Sequence, residues 1–460
     1  GRGVTKLIMP AATNADVVLG EAITGSAVKD LTIEGPGNVT GPVWWAGVRL
    51  TASSHCLVDN VEVLDPDAAC VAFVDCSDCH VARSFGRNSD SRYANGAGTS
   101  CAYGFWIDCS DNCTVSESYA YQTLQPFVIV GNDTPISGTN DHRGTRSADV
   151  TVGNKIIGCT ADRMIQHAFN INYCNGALVA LCTATNYNGA VSPRPAFQAK
   201  ANDGDTPRAN QFIGCTAINC DAGLMAQEGV HVQVNGFTGL NLATFGVLLN
   251  SSPYGRIANV NIEGLGGVAV HLLSSPGSQV DGVITRAANT STTYSVKVEG
   301  SGACSIDQVS QGNAHAGGLI IDSGSAGAIL GPGVRLATVS DASTTTVYPY
   351  QYAESFDVSG GSRNHGIGFP LRAMVVGRVD LCTTQAISGT TPTVGVGEAG
   401  SPSKFISGQN PNTAAGAVVS FPSASLLSRA HTAGKYIEAT TNGAASAGRV
   451  MASVHGLLSA

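Results

Sequence analysis

The chain of 460 residues has little charge: only 13% of its residues are Asp, Glu, Lys or Arg. It also lacks any basic excess, with 25 Lys/Arg against 33 Asp/Glu and a net charge of −8, and that argues against a nucleic-acid binder. Although 43% of residues are hydrophobic, no apolar run approaches the ~20 residues that a membrane-spanning helix requires, so membrane insertion is not expected. Helical periodicity is missing as well, since nowhere do apolar residues recur at 3.6-residue spacing. No signal peptide is present. The chain begins with Gly1 instead of Met, which reads as a processed or truncated piece whose upstream part is missing. Aromatic residues amount to 6%, so the few that occur in one place stand out.

Present instead is a recurring five-residue strand, small at its first position and apolar at its second and fourth. Eleven copies run from Gly47-Val-Arg-Leu-Thr51 and Val71-Ala-Phe-Val-Asp75 to Gly318-Leu-Ile-Ile-Asp322, mostly 22–28 residues apart. Shorter strands trail most copies, as in Cys79-His-Val-Ala82 and Ala177-Leu-Val-Ala180. A period of this length built from short strands and turns predicts an all-β chain coiled as a right-handed parallel β-helix solenoid. Residues 1–46 are expected to be entry or cap coils, 47–335 the solenoid with its groove loops, and 336–350 a linker. Residues 351–460 carry longer alternating strands between Gly/Ser/Thr/Pro turns, which predicts a small C-terminal β-sandwich, jelly-roll-like, for capping or oligomerisation. Charge divides in the same way: residues 1–340 hold 18 Lys/Arg against 27 Asp/Glu, and residues 341–460 hold 7 against 6.

Fourteen cysteines include Cys76-x-x-Cys79 and Cys109-x-x-x-Cys113, a spacing that zinc ligands can have. Their register gives a simpler reading. Cys76 and Cys109 follow the fifth position of adjacent copies, and Cys159, Cys182 and Cys215 each open a Cys-Thr-Ala turn, so the thiols are expected to stack as small buried residues. Reduced thiols fit assembly in a cytoplasm. Neither a metal nor another cofactor is expected.

A bare-ended β-helix of this length, with unequal loops and a separate C-terminal β-module, resembles the tailspike proteins of bacteriophages, within the pectate-lyase-like superfamily. That resemblance implies a homotrimer on the virion tail, assembled in the host cytoplasm and joined to the phage particle through a missing N-terminal region. It implies binding, and usually depolymerisation, of a bacterial surface polysaccharide, capsule or O-antigen. Polygalacturonases share the fold, but none of their four motifs occurs here. The pectate lyase signature is approached at Trp106-Ile-Asp108, yet Cys109 stands where His belongs.

Third positions of the repeat place Phe73, Trp106, Asn170 and Gln198 on the outer wall, and fifth positions place Asp75, Asp108, Asn172 and Lys200 there. Sugar rings have apolar faces ringed by hydroxyls, so flat aromatic surface beside amides and charges suits them. Two long insertions, 84–100 and 132–148, flank this stretch and carry Tyr93, Asp141, His142 and Arg143. Asp75 and Asp108 are expected at equal positions of adjacent copies, with backbones about 4.8 Å apart. Such carboxylates repel, leaving an acid beside a base for glycoside hydrolysis, or Asp108 works with Asp141 across the groove. His142 and Arg143 suit a polysaccharide lyase acting on a uronate-containing glycan. A non-catalytic receptor-binding fibre remains the third reading, and turn-capping carboxylates or a stacked amide ladder at Asn170 and Asn172 are the structural alternatives.

Overall fold

A computed structural model describes residues 5–9, 16–35, 46–66, 68–87, 103–131, 151–189, 194–200, 208–286, 294–311 and, with short interruptions, 318–458. The chain is all-β, with parallel β-solenoid coils over residues 5–330 and antiparallel sheets near its C-terminus. It divides into two compact units, Gly1–Gly267 and Val268–Ala460.

In the first unit the copies of the repeat pair side by side as one parallel sheet. Its strands are Val18–Glu21, Ala46–Thr51, Ala69–Val74, Tyr103–Asp108, Gln125–Val130, Phe169–Asn172, Pro195–Lys200, Ala222–Gln227 and Phe245–Asn250. The trailing strands form two more parallel ladders, seen in Leu57–Asp59, His80–Ala82 and Thr114–Ser116, and in Glu62–Leu64, Phe85–Arg87 and Tyr119–Tyr121. The entry strands join the same ladders, Val18 opposite Val48 and Ala27 opposite Leu57. Each coil turns its corners through single residues in the left-handed region, such as His55, Asp78, Asn112 and Gly153 along one edge. Asn, Asp and Gly tolerate that region best, which is why the chain is rich in them between strands.

The interior is a set of columns. Phe105, Phe127, Phe169 and Phe197 stack face to face with centroids 5.1, 4.9 and 4.8 Å apart and planes within 11° of parallel. The cysteines form columns as well: Cys159, Cys182 and Cys215 are fully buried, and each thiol reaches back to a carbonyl of the preceding coil, at Val115, Ile156 and Val179. Burial pushes the Cys174 thiol up to about 11 and the Cys220 thiol up to about 12, so both stay protonated. Among the described residues, thirteen cysteines are free thiols and no group of three metal-ligating side chains comes together.

The second unit opens with parallel strands Val268–Leu273, Tyr294–Glu299, Leu319–Ile321 and Val339–Asp341. The last of these lies in the stretch read from sequence as a linker. Two antiparallel sheets follow. One holds Tyr350–Asp357, Ala445–Leu458, Met374–Gly389 and Val418–Pro422, and the other Arg363–Gly368, Ile437–Asn442, Thr393–Glu398 and Ser401–Gln409. Val379, Leu381, Val396, Phe405, Ile437 and Val454 form their common core.

Candidate functional site

In-register pairing carries distant residues onto one face of the first sheet. Trp106 pairs with Val128, Val128 with Asn170, and Asn170 with Gln198; one step along, Asp108 pairs with Val130, Val130 with Asn172, and Asn172 with Lys200. Neighbouring strands lie about 4.8 Å apart, so Trp106 and Asn170 are about 10 Å apart along the sheet. Six of the expected wall residues therefore share two rows.

Phe73 and Asp75 do not join them. Phe73 pairs with Leu50 and Ile107, is 1% exposed and faces the coil interior, while Ala72 and Val74 take the outward places. The segment Val71-Ala-Phe-Val-Asp75 is apolar on both parities, so alternation alone left its phase open by one residue, and one residue exchanges the two faces. Asp75 instead turns the corner with φ 53°, at the place Cys109 holds in the next coil with φ 46°. Its backbone N–H donates to the carbonyl of Asp108 at 3.1 Å. The two carboxylates are neighbours in adjacent coils but one residue out of step. Tyr93, Asp141, His142 and Arg143 lie outside the described residues.

Trp106 packs on the outer side with Ala46, Ala69, Ala72, Val128 and Val130, and the Tyr103 ring lies 5.3 Å from it at 40°. Gly104, between Tyr103 and Phe105, has no room for a side chain, because a Cβ there would sit 2.3 Å from the Pro126 carbonyl oxygen. Trp106 is 6% exposed and Asp108 1% exposed. They are outside the coil interior, but they are covered rather than open to solvent.

Beyond this apolar patch the outer face becomes polar. Asn170 Nδ2 donates to Gln125 Oε1 at 2.8 Å, and Gln125 Nε2 donates to Gln166 Oε1 at 2.7 Å. His167 is buried against the Pro195 carbonyl, 2.9 Å from its Nδ1, which places the ring proton on Nδ1. Burial, reinforced by Arg194 and Lys200, lowers its pKa to about 4, so the ring is neutral at physiological pH. The Oδ1 atoms of Asn170 and Asn172 are buried and accept no hydrogen bond. Sequence reading missed Gln125, Gln166 and His167. Gln125 and His167 each precede a five-residue window by one residue, so a wider window would have included them.

An amide ladder of the self-satisfied kind does exist, at a different corner. Asn241 Nδ2 donates to Asn219 Oδ1, Asn219 Nδ2 to Asn186 Oδ1, and Asn186 Nδ2 to Asp162 Oδ1, at 3.0, 3.2 and 2.8 Å. Asn170 and Asn172 differ because their strand neighbours are valines on one side and Gln198 and Lys200 on the other.

No protein-family model matches the chain, and no curated protein matches it in sequence. Solved structures show partial similarity to the chain. The catalytic domain of a family GH87 α-1,3-glucanase in complex with nigerose aligns with TM-score 0.45 and 15% identity over 69% of this chain, which spans 58% of that domain. The tailspike protein gp49 of Pseudomonas phage LKA1 aligns with TM-score 0.36 and 13% identity over 95% of this chain and 67% of its own. A tailspike of Escherichia coli bacteriophage HK620 in complex with a hexasaccharide aligns with TM-score 0.42 and 11% identity over 94% and 86%.

Proposed function

We propose that the chain is a tailspike-type protein that binds a bacterial surface polysaccharide along the outer face of the first sheet and depolymerises it by glycoside hydrolysis. The supporting observation is the register that joins Trp106 and Asp108 to Asn170, Asn172, Gln198 and Lys200 on that face. Amides and a cation in two parallel rows that run on from the covered Trp106 match a chain of sugar rings better than a compact small molecule. Asp108 is the carboxylate in those rows. Asp75, one coil away, or Asp141 supplies its partner. In this reading the protein works as a homotrimer on the virion tail.

The test is incubation with purified capsule or O-antigen, with released oligosaccharides followed by mass spectrometry. Asp108→Asn is expected to lower release at least ~100-fold, the ordinary contribution of a positioned acid or base. Unchanged release removes Asp108 from the chemistry. Light scattering checks the assembly, and a stable monomer contradicts the homotrimer.

A binding-only receptor fibre is the second reading. The stagger of Asp75 against Asp108 favours it, since among the described residues the other carboxylate in Asp108's row, Glu21, lies three strands away. Binding without release in the same assay identifies it.

A further inference from the structure

We infer that the proposed glycan surface continues two strands past Lys200, where Met225 and Leu248 form an apolar seat for a sugar ring and Lys200, Gln227 and Asn250 line the edge that holds its hydroxyls. This deepens the reading above and rests on it. The register that carries Asn170 to Gln198 and Asn172 to Lys200 runs on without a break. Gln198 pairs with Met225 and Met225 with Leu248, while Lys200 pairs with Gln227 and Gln227 with Asn250. The residues that alternate with them, Leu224, Ala226, Val247 and Leu249, are fully buried on the interior side.

Exposure along the face decides where a ligand can reach it. Trp106, Val128, Asn170 and Gln198 are buried, with exposures of 6, 2, 5 and 6%, and so are Asp108 and Val130. The first row opens at Met225 and Leu248, which are half-buried, and the second opens at Asn172 and stays open through Lys200, Gln227 and Asn250. The copies at Gly223, Gly246 and Ala269 are 23 residues apart, too close to include a long insertion. On each strand the apolar and the polar position are two residues apart, about 7 Å, so a single pyranose ring can rest on one row and reach the other. Its C–H face suits Met225 and Leu248, and its rim of hydroxyls suits side chains that both donate and accept. Among the described residues, Gln227 Nε2 donates to Glu228 Oε1 at 3.3 Å and Asn250 Oδ1 accepts from Ser251 Oγ at 3.4 Å. Each amide therefore keeps an N–H, and Gln227 keeps its oxygen as well. Met225 lies four strands from Trp106 along the row, about 19 Å, so this seat holds the glycan and takes no part in the chemistry assigned to Asp108.

The experiment measures the affinity of the full chain and its variants for an array of purified bacterial surface polysaccharides, with light scattering on the same samples. The double variant Met225→Ala with Leu248→Ala is expected to bind the recognised polysaccharide at least ~10-fold more weakly, as loss of the apolar seat predicts. Gln227→Leu, which keeps the bulk and removes the hydrogen-bonding atoms, is expected to weaken binding by a similar factor, and it carries the test if the double variant does not fold. Leu181→Ala, at a side chain 66% exposed on another ladder, is expected to bind as the native chain does. Unchanged affinity in both the double variant and Gln227→Leu overturns the extension and leaves the glycan-binding reading intact. Dissociation of the assembly in the double variant, with affinity unchanged, overturns it too and identifies Met225 and Leu248 as a contact between copies of the chain. Failure of the native chain to bind any polysaccharide overturns the glycan-binding reading itself.

Discussion

Phe169→Ala is expected to destabilise the solenoid by about 3–5 kcal/mol, the usual cost of truncating a buried Phe to Ala. Phe169 is fully buried, and its ring lies between Phe127 and Phe197 at 4.9 and 4.8 Å. Truncation removes its own burial and also leaves both neighbouring rings facing a void, each stacked contact contributing about 0.5–1.5 kcal/mol. A solenoid passes such a defect to adjoining coils, because each coil is stabilised only by its neighbours. The measurement is the shift of the denaturation midpoint against Tyr254→Ala, whose ring is 60% exposed. Equal shifts for the two variants contradict the stacked interior.

The second large effect belongs to the C-terminal module. Glu398 is 3% exposed, and its carboxylate accepts from Lys404 Nζ at 2.8 Å and from the Thr432 backbone N–H and hydroxyl at 2.9 and 3.0 Å. Burial alone raises a carboxyl pKa, but these donors outweigh it and bring Glu398 from 4.5 down to about 2. A depressed pKa stabilises the fold above pH ~4.5, where the unfolded carboxylate is also charged, and this contribution disappears as pH falls toward 2. Surface ion pairs contribute about 0–1 kcal/mol, and breaking a fully buried one costs about 3–5. With Lys404 partly exposed, Glu398→Ala is expected to cost about 2 kcal/mol at neutral pH. Chemical denaturation at pH 7 and pH 3 checks it: the variant's deficit should shrink at the lower pH, and a deficit that stays constant or grows contradicts the assignment.

The solenoid was legible because its signal is repeated. A single five-residue alternation is weak evidence for a strand, but the same alternation returning at a near-constant interval can be satisfied only by stacking. Register was legible wherever one parity was polar, as in Ala168-Phe-Asn-Ile-Asn172 and Ala196-Phe-Gln-Ala-Lys200. It failed at Val71-Ala-Phe-Val-Asp75, where the outer neighbours Ala72 and Val74 are as apolar as the interior Phe73. A patch that buries both sides of a strand erases the pattern used to orient it. The same patch explains why Trp106 sits covered.

In the C-terminal module the sequence shows longer alternating strands between Gly/Ser/Thr/Pro turns without fixing each one. Tyr350–Asp357, Arg363–Gly368 and Ser401–Gln409 were not recognised. Those segments are interrupted by Gly, Ser or Pro, and antiparallel partners such as Ala445–Leu458 hold them as strands despite weak local preference. The amide chain was illegible for another reason. Gln125 and Gln166 are 41 residues apart and meet only because their coils stack in register.

The central claim is that stacking in register builds one sugar-binding face. It is tested most directly by a crystal structure of the chain with fragments of a host surface polysaccharide bound. The predicted result is an oligosaccharide lying across the strands Tyr103–Asp108, Gln125–Val130, Phe169–Asn172 and Pro195–Lys200. An oligosaccharide seated instead on the ladder of Phe85–Arg87 and Tyr119–Tyr121, or on the antiparallel module, contradicts it.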